Sequence, residues 1–329
     1  MKVAIDAMGG DHAPHINVEG ALQAAKQWND IDIVLVGNKN EIEKVETNFP
    51  SNIHIHHTEE VILPDDEPVR AVRRKKNASM VVAGKMVKEK EVDAMISCGN
   101  TGALMSTGVL IIGRIKGVER PALASMIPTA DGKGVMALDL GANMDAAPEH
   151  LYQYAVMGSM YRHLVDDLSK PRVGLLNVGS EQKKGNDLIK KTYPLLQEAP
   201  IHFIGNVESR DVVQGNCDVM VCDGFVGNVM LKAMEGTGEL LFSRLKEELT
   251  KNMFSKMGAL MLKRGLMNIK SQMDHNEYGG APLLGLDGIC LKCHGSSNAT
   301  AIKNAVGNAI KAHQTKVVDV ITSKITRGE

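Results

Sequence analysis

Short apolar runs alternate along the chain with longer stretches whose apolar positions recur at helical spacing. The runs predict strands at Val3–Asp6, Asp32–Val36, Ile53–His57, Ala94–Ser97, Ala122–Ile127, Val135–Leu140, Arg172–Val178, Ile201–Ile204, Val219–Cys222 and Gly288–Lys292. The longer stretches predict helices at Val18–Trp28, Glu41–Thr47, Val69–Lys90, Gly102–Ile112, Pro148–Leu164, Asp187–Gln197, Asn228–Thr250 and Ala299–Ser323. Repeated strand–helix alternation predicts an α/β protein: a mostly parallel sheet flanked by helices on both faces. At 329 residues the expectation is one large unit with two lobes spanning 1–329.

The segments between strands and helices carry the chemistry. Polar, Gly-rich turns run Asp6–Pro14, Ser97–Gly102, Asp139–Asn143, Asn177–Gly185, Asp223–Asn228, Tyr278–Pro282 and His294–Asn298. Any one of them reads as a tight turn that needs glycine. As a set, several placed just after strands, they read as one polar cleft at the sheet edge where α/β proteins bind ligands. Ser97–Gly102 and His294–Asn298 each open a predicted helix, where unpaired N–H groups hold oxyanions. Neither is a P-loop, and no Gly-x-Gly-x-x-Gly fingerprint occurs.

Composition narrows the classes. Aromatics are 3% and methionine numbers 19, so the core is aliphatic and thioether. A net charge of −1 gives no global field for nucleic acid, and an acidic partner needs a local basic patch. The five cysteines do not form a disulfide framework, and Lys2 leads straight into the first strand with no signal peptide, so a cytoplasmic location is expected. Cys290-Leu-Lys-Cys293-His294 matches a haem-attachment pattern literally, but it falls on a predicted buried strand of a chain without an export signal. No cofactor and no metal site are expected.

Two basic segments stand out. Arg70, Arg73, Arg74, Lys75 and Lys76 crowd one helix behind Asp65-Asp66-Glu67-Pro68, a good helix start. Lys251–Met273 carries five cations, no acid and many methionines; Gly258 and Gly265 are expected to break it into a basic amphipathic helical hairpin. Met257, Leu260, Met261, Lys263 and Arg264 would meet an anionic membrane surface. The competing reading is a dimer-interface or core helix.

The opening Ala4-Ile-Asp-Ala-Met-Gly-Gly-Asp-His-Ala-Pro14, followed in order by the later turns, resembles the start and course of the acyl-ACP:phosphate acyltransferases across essentially the whole chain. That resemblance implies an isocitrate/isopropylmalate dehydrogenase-like, phosphotransacetylase-related fold. It implies a homodimer and transfer of a fatty acyl group from acyl carrier protein to inorganic phosphate. The acyl phosphate would feed phospholipid synthesis through a membrane glycerol-3-phosphate acyltransferase, with this chain resting on the inner face of the cell membrane. On that footing Ser97, Asn100, Thr101, Ser296 and Ser297 are expected to hold phosphate. Lys184 and His294 are candidates for charge compensation, Asp6 and His12 for orientation or base work, and Asp223 and Asn228 for completing the catalytic set. Gly9, Gly10, Asp11, Asn143, Glu181, Gly279 and Gly280 would shape the cleft. The competing readings are a decarboxylating dehydrogenase on the same fold, a phosphotransacetylase using coenzyme A thioesters, and a non-catalytic scaffold.

Overall fold

The computed structural model describes residues 1–272 and 279–327. Met273, the end of the expected basic segment, and Tyr278 of the turn at 278–282 lie outside them, as does the side chain of Lys270. The chain first lays down β1 (Lys2–Asp6), α1 (His15–Gln27), β2 (Asp32–Gly37), α2 (Lys39–Val45), β3 (Ile53–His57), α3 (Pro68–Arg74), α4 (Ser79–Lys88), β4 (Ala94–Ser97), α5 (Thr101–Thr107) and β5 (Ala122–Leu123). It then crosses to β6 (Ser125–Ile127), β7 (Val135–Leu138), α6 (Pro148–Leu164), β8 (Arg172–Leu176), α7 (Asp187–Glu198), β9 (His202–Val207), α8 (Ser209–Val212), β10 (Val219–Val221), α9 (Gly224–Thr250) and α10 (Met253–Gln272). It returns with β11 (Ala281–Leu284), β12 (Ile289–Lys292), α11 (Ala299–Gln314) and α12 (Val317–Arg327).

Two sheets result among the described residues, where the hydrophobic pattern predicted one. The first is seven-stranded in the order β3-β2-β1-β4-β12-β11-β5, and the second is five-stranded in the order β6-β7-β10-β8-β9. The strands that matter, β1, β4 and β12 in the first and β7, β10 and β8 in the second, run parallel to one another within each sheet. Their C-terminal ends therefore share one edge of each sheet. The run 122–127, expected as one strand, is divided at Ala124, whose N–H turns away to Pro282 O. Ala122–Leu123 pairs with β11 and Ser125–Ile127 with β7, so one short segment joins the two sheets.

Helices pack both faces of the first sheet. Val3, Ile5, Ile96 and Leu291 point to α1 and α11. Ala4, Met95 and Cys290 point to α4 and the α5 side. The α1–α11 contact is close because Gly20 lacks a side chain: a Cβ there would lie 2.5 Å from Ile302 Cβ.

Three expected helices differ from the pattern. Val69–Lys90 is split into α3 and α4, because Asn77 N–H donates to Glu60 Oε2 and Ser79 N–H to Glu60 O, which pulls the chain out of helix. Ala299–Ser323 breaks at Lys316, which has a left-handed φ of 51°. The break expected at Gly258 and Gly265 is absent: α10 runs through both, and its hairpin partner is α9. A lone glycine inside a helix costs only about 1 kcal/mol, which does not stop a helix of this length.

The two kinds of helical glycine predict opposite outcomes. Gly20→Ala should lower stability by about 1–3 kcal/mol through overpacking. Gly236→Ala in α9, where a Cβ meets nothing within 4 Å, should leave stability unchanged or raise it. Urea unfolding of both variants checks this; equal effects would remove the packing argument.

Candidate active site

At the C-terminal edge of the first sheet, three loops converge, following β1, β4 and β12. Their anchor is Asp6, the last residue of β1 and 1% exposed. Ser79 Oγ donates to Asp6 Oδ1 at 2.6 Å and Ser97 Oγ donates to Oδ2 at 2.6 Å. Met8 N–H adds a bond at 3.3 Å. Burial nevertheless pushes the Asp6 carboxyl above the usual carboxylate range, against the pull of those donors. Gly9 and Gly99 are small because this carboxyl needs the space: a Cβ on Gly9 would lie 2.5 Å from Asp6 Oδ2, and one on Gly99 2.5 Å from Met80 Cε.

The loops are stitched to each other. Asp11 N–H donates to Gly295 O at 2.9 Å, and Cys293 N–H donates to Ser97 O at 3.0 Å. Asn17 of α1, fully buried, donates to Ala7 O and Gly9 O. Gly10 takes φ 101°, a conformation for glycine, and its open face looks onto Cys98 Cβ at 2.8 Å. His294 Nδ1 accepts from Ser296 N–H at 3.3 Å and sits 2.8 Å from Ser296 Oγ, so the ring proton belongs on Nε2. Ser297 is buried and its N–H donates to His294 O. His12 lies on the exposed turn that enters α1.

The second sheet repeats the plan. Asp139 follows β7, is fully buried, and accepts from Leu123 N at 3.1 Å, Ala142 N at 3.1 Å and Asn143 N at 2.6 Å. Burial raises its carboxyl too. Asn143 Nδ2 donates to Pro121 O and to Asp139 Oδ2, so this residue ties the second sheet's loop to the chain entering β5. Asp223 caps α9 by accepting from Val226 N–H at 2.9 Å. Asn228 lies against Gly141, within 3.5 Å of where its Cβ would stand. On the loop after β8, Lys184 and Glu181 pair at 3.1 Å, both more than half exposed.

Several expected phosphate ligands are committed elsewhere. Ser97 Oγ gives its proton to Asp6 and accepts from Gly99 N–H at 3.0 Å, leaving no proton for an anion. Asn100 Oδ1 caps α5 through Ala103 N–H, and its Nδ2 donates to Pro64 O. Thr101, the first residue of α5, stays half-buried at the helix mouth. Gly279 and Gly280 are packing glycines: both have positive φ, a Cβ on Gly279 would strike Asn304, and one on Gly280 would press on Ala305. Ser79, Asp139 and Lys292 belong to these clusters and were not singled out by the sequence. The signal available for Asp139 was its position, since it ends a strand before a Gly-bearing turn as Asp6 does.

The basic helix sits beside the first loop set. A Cβ on Gly102 would lie 2.8 Å from Pro68 Cγ at the start of α3. Arg70, Arg73, Arg74 and Lys76 are exposed there. Lys75 is withdrawn from that patch: its ammonium donates to Asp66 at 2.5 Å and to Val61 O. A cavity of about 430 Å³ lined by Lys170, Tyr193 and His202 opens at the N-terminal end of β9. That is the opposite edge from the loops and lacks their converging donors, so we place the site on the loops.

A family described as fatty acid synthesis protein matches residues 1–320. The phosphate acyltransferase of Brevibacillus brevis is 56% identical over 328 residues, covering 99% of this chain and 98% of that one. That of Oceanobacillus iheyensis is 55% identical, covering 99% and 97%. The chain belongs to this phosphate acyltransferase family. It is an acyltransferase of α/β fold. A phosphotransacetylase from Streptococcus pyogenes shares the fold at TM-score 0.60 and 16% identity, covering 95% of this chain and 94% of that one. The EutD phosphotransacetylase from Staphylococcus aureus does so at 0.59 and 16%, covering 96% and 94%.

The raised Asp6 carboxyl gives a signed pH prediction. Its folded pKa lies above the unfolded value, so its contribution to stability is fully present below about pH 4 and is lost as pH rises through the folded value. In Asp6→Asn that component vanishes, and unfolding free energy should decline less steeply with rising pH than in the wild type. Asp139 has the same sign, so some slope remains. Urea titrations across the acidic range measure it; parallel slopes would remove Asp6 as the source.

Proposed function

We propose that the enzyme moves a long-chain fatty acyl group from the thioester of acyl carrier protein to inorganic phosphate, giving an acyl phosphate. One observation carries the proposal: identity of 54–56% to phosphate acyltransferases runs over nearly the whole chain, both loop sets included. A phosphate oxygen attacks the thioester carbonyl, a tetrahedral oxyanion forms, and the C–S bond breaks as the carrier thiolate leaves. Phosphate is already a nucleophile and a thiolate needs no proton to depart. Positioning and donors aimed at the oxyanion therefore matter most.

An enzyme thioester is disfavoured on physical grounds. All five cysteines are buried. Burial pushes the Cys217 and Cys290 thiols up to about 12, and Cys222 is raised well above its usual value by the same cause. Cys98 is raised well above too, first by its hydrogen bond with Cys293 and then by burial. None of these four carries the thiolate that attack requires. The reading is therefore of direct transfer to phosphate, in which the His294 Nε2–H and the Lys184 ammonium would stabilise the developing charge.

The carrier would dock on Arg70, Arg73, Arg74 and Lys76, an exposed cationic patch beside the Asn100–Gly102 loop. The α9–α10 hairpin presents Met253, Phe254, Met257, Leu260 and Met261 at 65–86% exposure, with Lys256, Lys263 and Arg264 among them. Lys251, in the turn between α9 and α10, is paired with Glu248 at 3.2 Å. No described helix is long and apolar enough to cross a membrane. An apolar surface of this size needs a cover. A lipid surface at the tip and a second subunit along the stem would meet that need, as in a homodimer resting on the cytoplasmic face of the cell membrane. There it would hand acyl phosphate to a membrane glycerol-3-phosphate acyltransferase.

Incubation with palmitoyl carrier protein and phosphate should release carrier thiol and a hydroxylamine-trapped acyl product. Activity with palmitoyl coenzyme A alone would move the enzyme to a different donor. Lys184→Ala and His294→Ala should each lower kcat by about 10²-fold, the size expected for an oxyanion donor. Arg73→Glu combined with Arg74→Glu should raise KM for the carrier donor, more at low salt, and spare a small thioester. Leu260→Glu should abolish flotation with anionic liposomes; flotation at the wild-type level would sever α10 from lipid.

A further inference from the structure

We infer that Lys292 holds the charge of the inorganic phosphate from beneath the first loop set, an assignment that rests on the acyl-transfer reaction proposed above. The geometry begins with register. Asp6 pairs with Ser97 across β1 and β4, and Ser97 pairs with Lys292 across β4 and β12. Paired residues on parallel neighbours send their side chains to the same face, with strands about 4.8 Å apart. The alternation agrees: Ala4, Met95 and Cys290, two residues earlier on each strand, all join the core on the α4 side. Asp6, Ser97 and Lys292 are thus one polar row capping that core where the strands end and the loops begin.

Within that row the proton inventory is uneven. Ser79 and Ser97 both spend their protons on Asp6. Lys292 has three N–H donors and gives one to the neighbouring carbonyl of Cys293. Among the described residues no carboxylate stands within ion-pair distance of it, although Asp6 and Asp11 act on it from farther off. Yet its side chain is buried, 9% exposed overall. Burial pushes its pKa down from the usual lysine value, opposed by Asp6, Asp11 and the Cys98 and Cys293 thiols. A buried ammonium short of a counter-charge is the unsatisfied half of a pair. An entering dianion completes it, in a place where charge-assisted bonds are strong.

The loop residues over the row are Gly9, Gly10, Gly99 and Gly295, and backbone N–H groups can reach an anion where side chains are missing. Gly9 and Gly99 let these loop backbones lie close over the row: a Cβ on either would come within 2.5 Å of Asp6 Oδ2 or Met80 Cε. Two phosphates enter this reaction: the free nucleophile, and the phosphodiester of the carrier's prosthetic arm. The sunken position of Lys292 favours the free ion, because the diester is tethered to a bulky protein.

The test is steady-state kinetics of the full-length enzyme with Lys292→Met, which keeps the chain length and removes the charge. KM for phosphate should rise at least about tenfold, the scale of one lost charge-assisted bond, while KM for palmitoyl carrier protein stays near wild type. Phosphate should also raise the Tm of the wild type and leave that of the variant unmoved. An unchanged phosphate KM overturns the assignment. A larger effect on the carrier KM overturns it too, by pointing to the diester. If the methionine variant does not fold, Lys292→Arg must keep the phosphate-dependent Tm shift and Lys292→Gln must lose it; any other pair of results counts against the site. Should the wild type make no acyl phosphate, the proposed reaction fails, while a phosphate Tm shift that depends on Lys292 still supports the site.

Discussion

Asp6 ends β1 with its carboxyl shut away from water, and the first loop set is arranged around that fact. A buried carboxyl must find donors, and here they come from two other elements, Ser79 at the start of α4 and Ser97 at the end of β4. Meeting that demand fixes three things together. It sets where α4 begins, it keeps Gly9 and Gly99 free of side chains, and it uses up the hydroxyl of Ser97. The loop that would otherwise wander is held at a single height above the sheet. A serine that looks like an anion ligand by its position becomes a strut, and the anion is left to backbone N–H groups and to the cation one strand further along.

Asp139 does the same for the second sheet, with a difference that couples the two halves. Its donors include Leu123 N–H, which belongs to β5 of the first sheet, and its neighbour Asn143 reaches Pro121 O on the approach to that strand. The joint at Ala122–Ile127 is therefore bonded to the loop after β7. Ala142 in that loop packs on the same apolar cluster as Leu104 and Met105 of α5, the helix opened by the Ser97–Gly102 turn. The loop after β7 and the helix that follows β4 thus share one apolar cluster. A tetrahedral intermediate between phosphate and an acyl carbonyl needs donors from more than one direction, and two buried carboxyls keep two sets of turns rigid enough to supply them.

Most elements were legible because burial on one or both faces imposes a clear period. Val3–Asp6, Ile53–His57 and Pro148–Leu164 are cases where pattern and structure agree within a residue. The clearest failure comes from a hydrogen bond between distant residues that outbids local preference. The helix expected at Val69–Lys90 is broken by Glu60, far away in sequence, and the break is what delivers Ser79 to Asp6. The strand at Ala281–Leu284 was hidden by Pro282, which sits where β11 changes partner from β12 to β5 and so spares the ladder its missing N–H. In the site, turn glycines and strand-end acids were readable from spacing. Lys292 was not, since its meaning comes from register with Ser97, and register is a property of three strands that the chain brings together from residues 6, 97 and 292.

The same geometry separates the two substrates. Phosphate is small, and the site inferred for it is a buried ammonium beneath the loop glycines. The acyl chain is long and apolar, and its carrier is a protein; both must be received outside the loops. The surfaces proposed for them are distinct: a cationic helix beside the Asn100–Gly102 turn, and a hairpin rising from Asp223, which caps α9 at the edge of the second loop set. α9 starts at the second loop set and leads to the exposed methionines of α10, so one hairpin joins the proposed site to the proposed lipid contact. If that hairpin meets lipid as proposed, an acyltransferase with a water-labile lipid product gains from it, because the tail is received near where it is made.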